Sequence, residues 1–206
     1  MLSGLDILIL FSLTILLIVG GYQFYFLPQR KPAKSSSSFR ITYLDRIIPF
    51  KAGWVWVYSG LYYPVIISLV FTIKSFRHFS YTAFSFIILL IFQLFFFYLF
   101  PVKSPDEWRA FERGKSLSTK FLSFVHQFDS NLNCFPSMHV SVATLTAYHL
   151  KNNLADSLEI WSNVSFMFPL LIGLSTLFTK QHYLLDIPAG FFLGLVTFYI
   201  FLAMSF

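Results

Sequence analysis

Residues 187–206 read IPAGFFLGLVTFYIFLAMSF and contain no charged side chain. Five further runs, at 7–29, 52–73, 78–102, 130–150 and 160–179, are also free of Asp, Glu, Lys and Arg. Each run has at least 20 residues, about the length of helix that crosses a ~30 Å hydrocarbon core. Only 12% of the residues are charged, against about 25% in a soluble domain. We therefore expect an all-α polytopic membrane protein, a six-transmembrane-helix bundle that forms one domain over residues 1–206.

The first run differs from a signal peptide in its flanks. Residues 1–4 contain no Lys or Arg, and no small-residue cleavage site follows the run, so we expect a retained transmembrane helix. The one cysteine, Cys134, excludes an intramolecular disulfide and a metal cluster built from cysteines.

Two long basic segments, at 24–51 and 101–135, connect the runs. The serine tract at 35–38 indicates a flexible connection, and residues 39–50 suit a short helix in the headgroup region. With six crossings, both segments and the turn at 180–182 lie on one side of the membrane.

Two histidines and a carboxylate occur where uncharged runs reach this side. An ionisable group there is costly unless it has a function. His182 and Asp186 are four residues apart, so a helix would place them on one face. Asp186 could then hold one ring nitrogen of His182 and leave the other free to attack. His139, near a helix N-terminus, could protonate a leaving oxygen, while Ser137 adds a hydroxyl and Lys180 a cation. Any one histidine could simply pack in the bundle, but the whole set on one side favours catalysis. We therefore expect an active site at this membrane edge, between the third, fourth and sixth runs.

The same residues carry a resemblance to a known family. Residues 135–139, FPSMH, resemble the second signature of the type-2 phosphatidic acid phosphatase superfamily, P-S-G-H. The pattern S-x6-H-x3-D from Ser175 to Asp186 resembles the third signature, S-R-x5-H-x3-D. The segment DRIIPF at 45–50 is similar to a recurrent start of the second span, so the resemblance covers residue 45 to the end. It implies that His182 attacks phosphorus to form a phosphohistidine, that Asp186 orients His182, and that His139 is the general acid. It also implies that no metal and no other cofactor is needed.

The chain departs from the family pattern at several positions. Met138 replaces the usual glycine, and Thr176 stands where the third signature has arginine. The first signature, K-x6-R-P, is incomplete, because five residues separate Lys103 from Arg109 and Ala110 follows. In its bulkier second-signature residue and its missing arginine, the chain resembles the branch of inositol phosphorylceramide and sphingomyelin synthases. Those enzymes transfer a phosphoryl-linked head group to a lipid alcohol. Five residues have side chains that can donate hydrogen bonds to phosphate oxygens. We expect them to bind the phosphate, and they are Lys103, Arg109, Ser137, Lys180 and Ser175.

These observations predict a membrane lipid phosphatase that cleaves a phosphomonoester or diphosphate of a lipid through a phosphohistidine. One alternative is a lipid head-group phosphotransferase, and another is a non-catalytic membrane protein that binds anionic lipids. The expected partners are a phosphorylated lipid and the bilayer, with no nucleic acid.

The charge distribution and the resemblance disagree about membrane orientation. Twelve Lys and Arg lie on the active-site side and three on the other, which favours a cytoplasmic site. The resemblance implies an extracytoplasmic or lumenal site, and cations that serve an anionic substrate weaken the charge rule. We expect the extracytoplasmic or lumenal face.

Three further features concern packing and not the predicted site. Gly190 and Gly194 form a GxxxG pattern that permits close helix approach inside the bundle. His149 lies about 15 Å along its helix from His139, and His78 and His126 are expected at the interface or in a loop.

Overall fold

A computed structural model describes residues 3–25, 28, 42–112, 114–129, 131–154 and 159–205. In these ranges the chain forms helices and no strand. The helices are α1 (Gly4–Tyr25), α2 (Tyr43–Ile47), α3 (Ala52–Thr72), α4 (Phe76–Leu99), α5 (Leu117–Phe128), α6 (Met138–Leu154), α7 (Glu159–Val164), α8 (Met167–Phe178) and α9 (Asp186–Ser205).

Five helical segments are long and apolar enough to cross a membrane. They are α1, α3, α4, the pair α7–α8 over Glu159–Phe178, and α9. The chain is therefore an all-α polytopic membrane protein, as its uncharged runs predict. The segment predicted as the fourth span contains α6, which has only 17 residues.

Helix α6 is the most central helix of the bundle, and it begins later than its uncharged run. Residues 131–137 form an irregular loop, and the helix starts at Met138, just after Pro136. Buried polar residues on α6 bond to neighbouring helices. Gln93 Nε2 donates to Ser141 Oγ at 2.7 Å, and Asn153 Nδ2 donates to Thr72 Oγ1 at 2.8 Å. These contacts explain how a polar helix is accommodated inside an apolar bundle.

Helix α3 changes its winding along its length. A 3-10 turn at Ala52–Trp54 and a π-helical segment at Trp56–Leu61 precede an α-helix at Tyr62–Ser68. Pro64 has no N–H to donate to the preceding turn, so regular winding is interrupted ahead of it. Tyr58 in the π segment and Tyr62 at the start of the α-helix are both buried, and both reach the candidate site described below.

The two glycines of the GxxxG pattern bring α9 against α6. A Cβ on Gly190 would lie 2.5 Å from the Ser137 carbonyl oxygen, and one on Gly194 would lie 2.5 Å from the Ser141 carbonyl oxygen. The expectation of close packing inside the bundle is confirmed. This contact also holds the N-terminal ends of α6 and α9 side by side.

Gly194→Ala should destabilise the protein, because the new Cβ would also lie 2.8 Å from Thr144 Cβ. Overpacking of this kind costs about 1–3 kcal/mol, so the unfolding temperature in detergent should fall by several degrees. Gly20→Ala in α1 is the matched control, since its Cβ would meet nothing within 4 Å. Equal unfolding temperatures for the two variants would contradict the close contact.

The segments predicted to lie on one side do meet at one end of the bundle. Tyr25, at the end of α1, contacts Asp129, and the Lys51 N–H donates to the Phe178 carbonyl at 2.8 Å. The short helix predicted within residues 39–50 is present as α2, while the 35–38 serine tract lies outside the described residues. The segment at 101–135 is not a plain loop, because it contains a 3-10 turn at Asp106–Arg109 and the amphipathic helix α5.

Candidate active site

His182 and Asp186 form a buried pair at the start of α9. The Nδ1 atom of His182 lies 3.1 Å from Asp186 Oδ2 and 2.8 Å from the Cys134 carbonyl oxygen. His182 is 6% exposed and Asp186 is fully buried. Both neighbours of Nδ1 are acceptors, so Nδ1 must carry the proton. The lone pair of the ring is consequently on Nε2, the nitrogen available to a substrate.

The spacing of the pair predicts that both residues lie on one face of a helix. The structure differs, because a turn holds them together. His182 lies outside the helix, and Asp186 is the first residue of α9. Lys180 has a positive φ of 57°, which ends α8, and Pro188 lies in the first turn of α9, where its missing N–H is tolerated. Asp186 Oδ2 also accepts the Tyr183 N–H at 2.8 Å. The carboxylate therefore orders the turn and the histidine together.

The loop before α6 supplies the second partner of His182. The Ser137 N–H donates to the Asp186 carbonyl at 3.1 Å, and the Cys134 N–H donates to the Val102 carbonyl at 3.1 Å. Asn133 has a positive φ of 61°, a conformation that Asn tolerates better than most residues. These contacts explain how the Cys134 carbonyl is held against His182.

His139 faces His182 across the site. The two ring centroids are 6.4 Å apart, while the rings of Tyr58 and Tyr62 lie 4.4 and 4.9 Å from the His139 ring. His139 Nδ1 is 3.4 Å from Tyr58 Oη, and Tyr58 Oη donates to Asp129 Oδ2 at 3.2 Å. The second histidine is thus connected to a carboxylate through a tyrosine.

Asp129 and its partners were not predicted from the sequence. Tyr25 Oη donates to Asp129 Oδ1 at 3.0 Å, and Arg109 Nη1 donates to the Asp129 carbonyl at 2.6 Å. Burial raises the pKa of Asp129, and the Arg109 charge and the tyrosine hydrogen bonds oppose this rise. No sequence motif includes Asp129. Its position directly before an uncharged run, which Asp186 shares, is the sequence signal that could have indicated it.

Arg109 also reaches the residue next to His182. Its Nη2 donates to Gln181 Oε1 at 3.1 Å, and Gln181 Nε2 contacts His126 Nε2. Arg109, one of the predicted phosphate-binding residues, therefore contacts Asp129 on the His139 side of the site and Gln181 on the His182 side. His126, which was expected to be a loop or interfacial residue, lies on α5 and is linked through Gln181 to the same region.

Ser137 and Ser175 are both fully buried. Ser137 lies at the junction of the two histidine segments, where its hydroxyl accepts the Val140 N–H at 3.5 Å. Ser175 Oγ donates to the Ile172 carbonyl at 2.7 Å within α8. Thr176, where the third signature has arginine, bonds in the same way to the Gly173 carbonyl at 2.7 Å.

The two predicted lysines have partners in the loops. Lys103 Nζ pairs with Asp106 at 2.8 Å, and its carbonyl accepts the Tyr183 hydroxyl at 3.0 Å. Lys180 Nζ donates to the Asp45 carbonyl at 2.6 Å and lies 5.1 Å from the centre of the Trp108 ring. Burial lowers the pKa of Lys180, and the Asp45 charge opposes this shift. In this arrangement the lysines support the loops around the site.

Cys134, His182 and Asp186 offer three ligand atoms within 4.8 Å of one another. A metal there would need the thiolate form of Cys134, and burial raises the pKa of that thiol. A metal would also need the hydrogen bond between His182 and Asp186 to break if it bound at Nδ1. The donor set fits a hydrogen-bonded histidine better than a metal centre.

His149 and His78 lie away from the two facing histidines. His149 Nε2 bonds to Ser85 Oγ at 2.9 Å, and its ring packs 4.4 Å from that of Phe201. His78 Nδ1 accepts the Lys74 N–H at 3.3 Å near the start of α4.

A buried histidine–carboxylate pair thus faces a second histidine at one end of a helical membrane bundle. The family model described as the PAP2 superfamily matches residues 40–200, and the chain belongs to that superfamily. This superfamily comprises phosphatases and phosphotransferases, which supports an enzymatic role of that type. No curated protein and no solved structure matches the chain.

Proposed function

We propose that the protein is a metal-independent lipid phosphatase that cleaves a phosphomonoester or diphosphate of a lipid through a phosphohistidine on His182. The observation that carries this proposal is the pair of acceptors at His182 Nδ1, the Cys134 carbonyl and Asp186 Oδ2. They hold the proton on Nδ1 and leave a nucleophilic lone pair on Nε2.

The reaction has two steps. His182 Nε2 attacks phosphorus, the bond to the lipid oxygen breaks, and His139, in its doubly protonated form, gives its Nε2 proton to that oxygen and becomes neutral. Asp186 stabilises the positive ring of the phosphohistidine. His139 then removes a proton from water, the water oxygen attacks phosphorus, and the phosphorus–nitrogen bond breaks to release phosphate. Arg109 and backbone N–H groups neutralise the developing charge on the phosphate oxygens.

The two histidine rings face each other, with their centroids 6.4 Å apart. An attacking nitrogen ~3 Å from phosphorus and a proton donor roughly 3 Å from the leaving oxygen must lie on opposite sides of the phosphoryl group. Two facing histidines suit this arrangement.

Tyr58→Phe should slow both steps by about 10-fold or more, with little change in KM. The variant removes the hydroxyl between His139 Nδ1 and Asp129, so His139 loses both its orientation and the indirect effect of the carboxylate. Rapid-quench measurement of the phosphoenzyme would give both rates. Tyr25→Phe removes the other tyrosine hydroxyl from Asp129 and should have a smaller effect. Equal losses in the two variants would show that the tyrosines act only through stability.

A head-group phosphotransferase is the second candidate. It is favoured by Met138 and Thr176, which stand in place of the family's glycine and arginine, because the synthase branch shows similar departures. In that reaction a lipid alcohol and not water would accept the phosphoryl-linked group from His182.

The product distinguishes the two candidates. Purified protein should release inorganic phosphate from phosphatidate, phosphatidylglycerophosphate or a polyprenyl diphosphate, equally in Mg²⁺ and in chelator. A labelled new lipid, formed only when a lipid alcohol is added, would favour the transferase. Loss of activity in chelator would count against the metal-independent mechanism. Activity unaffected by both His139→Ala and His182→Ala would favour a protein that only binds anionic lipids.

We place the site on the extracytoplasmic or lumenal face, as the family resemblance implies. Lys115 lies in the loop before α5, and its side chain is 75% exposed. A Lys115→Cys variant should therefore react with an impermeant thiol reagent in intact cells or sealed vesicles of known orientation. Reaction only after permeabilisation would reverse this orientation.

A further inference from the structure

An apolar cavity of about 390 Å³ leads away from His139 between α1, α3, α4 and α6. His139 and Met138 line it at the start of α6, and Ile73, Phe79 and Thr82 line it around the junction of α3 and α4. The volume is within the range of small-molecule sites, about 300–1,000 Å³. Because His139 lines the cavity, the cavity is continuous with the candidate active site.

The cavity is elongated along the helices. Phe79 and Leu90 both line it on α4, and a helix rises about 16 Å between these positions. This length is roughly half of a ~30 Å hydrocarbon core. An extended alkyl chain has the matching shape, and the phosphate attached to it would lie beside the two histidines.

Small residues on α1 leave this space open. A Cβ on Gly20 would meet nothing within 4 Å, and one on Gly21 would meet only Leu90 Cδ2 at 3.9 Å. Both glycines line the cavity. Larger side chains at these positions would enter the cavity without first displacing the backbone.

Met138 lines the cavity directly beside His139, at the position where the family signature has glycine. A glycine would offer no side chain there, whereas methionine is apolar and adapts to irregular surfaces. The departure from the signature thus extends the apolar wall to the catalytic histidine.

We infer that this cavity binds one alkyl chain of the substrate lipid, and that Met138 contacts the part of the chain nearest the phosphate. This inference rests on the proposed function, and it adds that the enzyme selects substrates by the length of that chain. For substrates dissolved as monomers in water, each methylene that enters the cavity should raise kcat/KM by about 4-fold, until the chain reaches the part lined by Ile73 and Phe79.

The first test uses a series of monoalkyl phosphates of increasing chain length. For the wild type, kcat/KM should rise with length and then level off. Gly20→Leu should lower the ratio of kcat/KM for long chains to that for short chains by at least 10-fold and move the plateau to shorter chains. Met138→Gly should also lower this ratio. Gly4→Leu is the matched control on the same helix, outside the cavity lining, and should keep the wild-type ratio. An unchanged ratio in Gly20→Leu would overturn the inference.

A second measurement does not depend on turnover. An alkyl phosphate with a terminal diazirine should label Ile73, Phe79 or Thr82, as read by mass spectrometry, and Gly20→Leu should lose this labelling. Labelling confined to the outer surface, or equal competition by a phospholipid without a phosphomonoester, would assign the cavity to bilayer lipid and overturn the inference. If these residues are labelled and no phosphorylated lipid is turned over, the proposed function fails while the binding site stands.

Discussion

Replacing His182 with alanine should abolish turnover and covalent labelling together, with a loss of about 10⁴-fold or more. The substitution removes the atom that would bond to phosphorus, and no other histidine is held between the Cys134 carbonyl and Asp186 in the part of the chain that the structure describes. Acid-labile phosphate trapped on His182 during turnover, located by mass spectrometry, is the direct measurement. Vanadate, which mimics pentacoordinate phosphorus, should inhibit the wild type.

His139→Ala provides the contrast. It should slow both the formation and the breakdown of the phosphoenzyme by about 10²–10⁴-fold, because one residue donates and then accepts the proton. His78→Ala, near the start of α4 and outside the site, should retain wild-type turnover. Full activity in His182→Ala would end the assignment of His182 as nucleophile. A defect confined to one of the two steps in His139→Ala would contradict its double role.

Asp186→Asn should lower kcat by about 10⁴-fold while KM changes little. Asparagine has nearly the same shape as aspartate and can still accept the Tyr183 N–H, so the turn at 183–186 should persist. The variant loses the negative charge that stabilises the positive ring of His182. In the opposite orientation of the amide, the NH2 group would replace Oδ2, lose the Tyr183 hydrogen bond and donate to Nδ1, which would move the proton to Nε2.

The measurement for Asp186→Asn combines steady-state kinetics with the unfolding temperature in detergent. Glu112→Gln is the control, because Glu112 pairs with Lys115 in an exposed loop and should keep wild-type kcat. A fall in kcat that follows only from unfolding would indicate that Asp186 is structural. Wild-type kcat in a folded Asp186→Asn protein would remove the carboxylate from the mechanism.

The spans follow from the sequence because the cost of burying charge in a bilayer depends on local composition alone. Runs without charge therefore identify the spans α1, α3, α4, the α7–α8 pair and α9. The family model over residues 40–200 separately bears out the resemblance seen in the two signatures. The start of α6 could not be read in this way. An uncharged irregular loop at 131–137 has the same composition as an uncharged helix, and only its hydrogen bonds to Val102 and Asp186 distinguish it.

The sequence by itself determined the class of protein, the positions of its membrane-spanning runs, and the candidate roles of His182, Asp186 and His139, which remain proposals. The tertiary structure decided which groups surround those residues. The Cys134 carbonyl at His182, the Tyr58–Asp129 connection at His139 and the cavity beside Met138 all join segments that are distant in sequence. Such contacts depend on how the helices pack, and residue spacing within a segment contains no information about them.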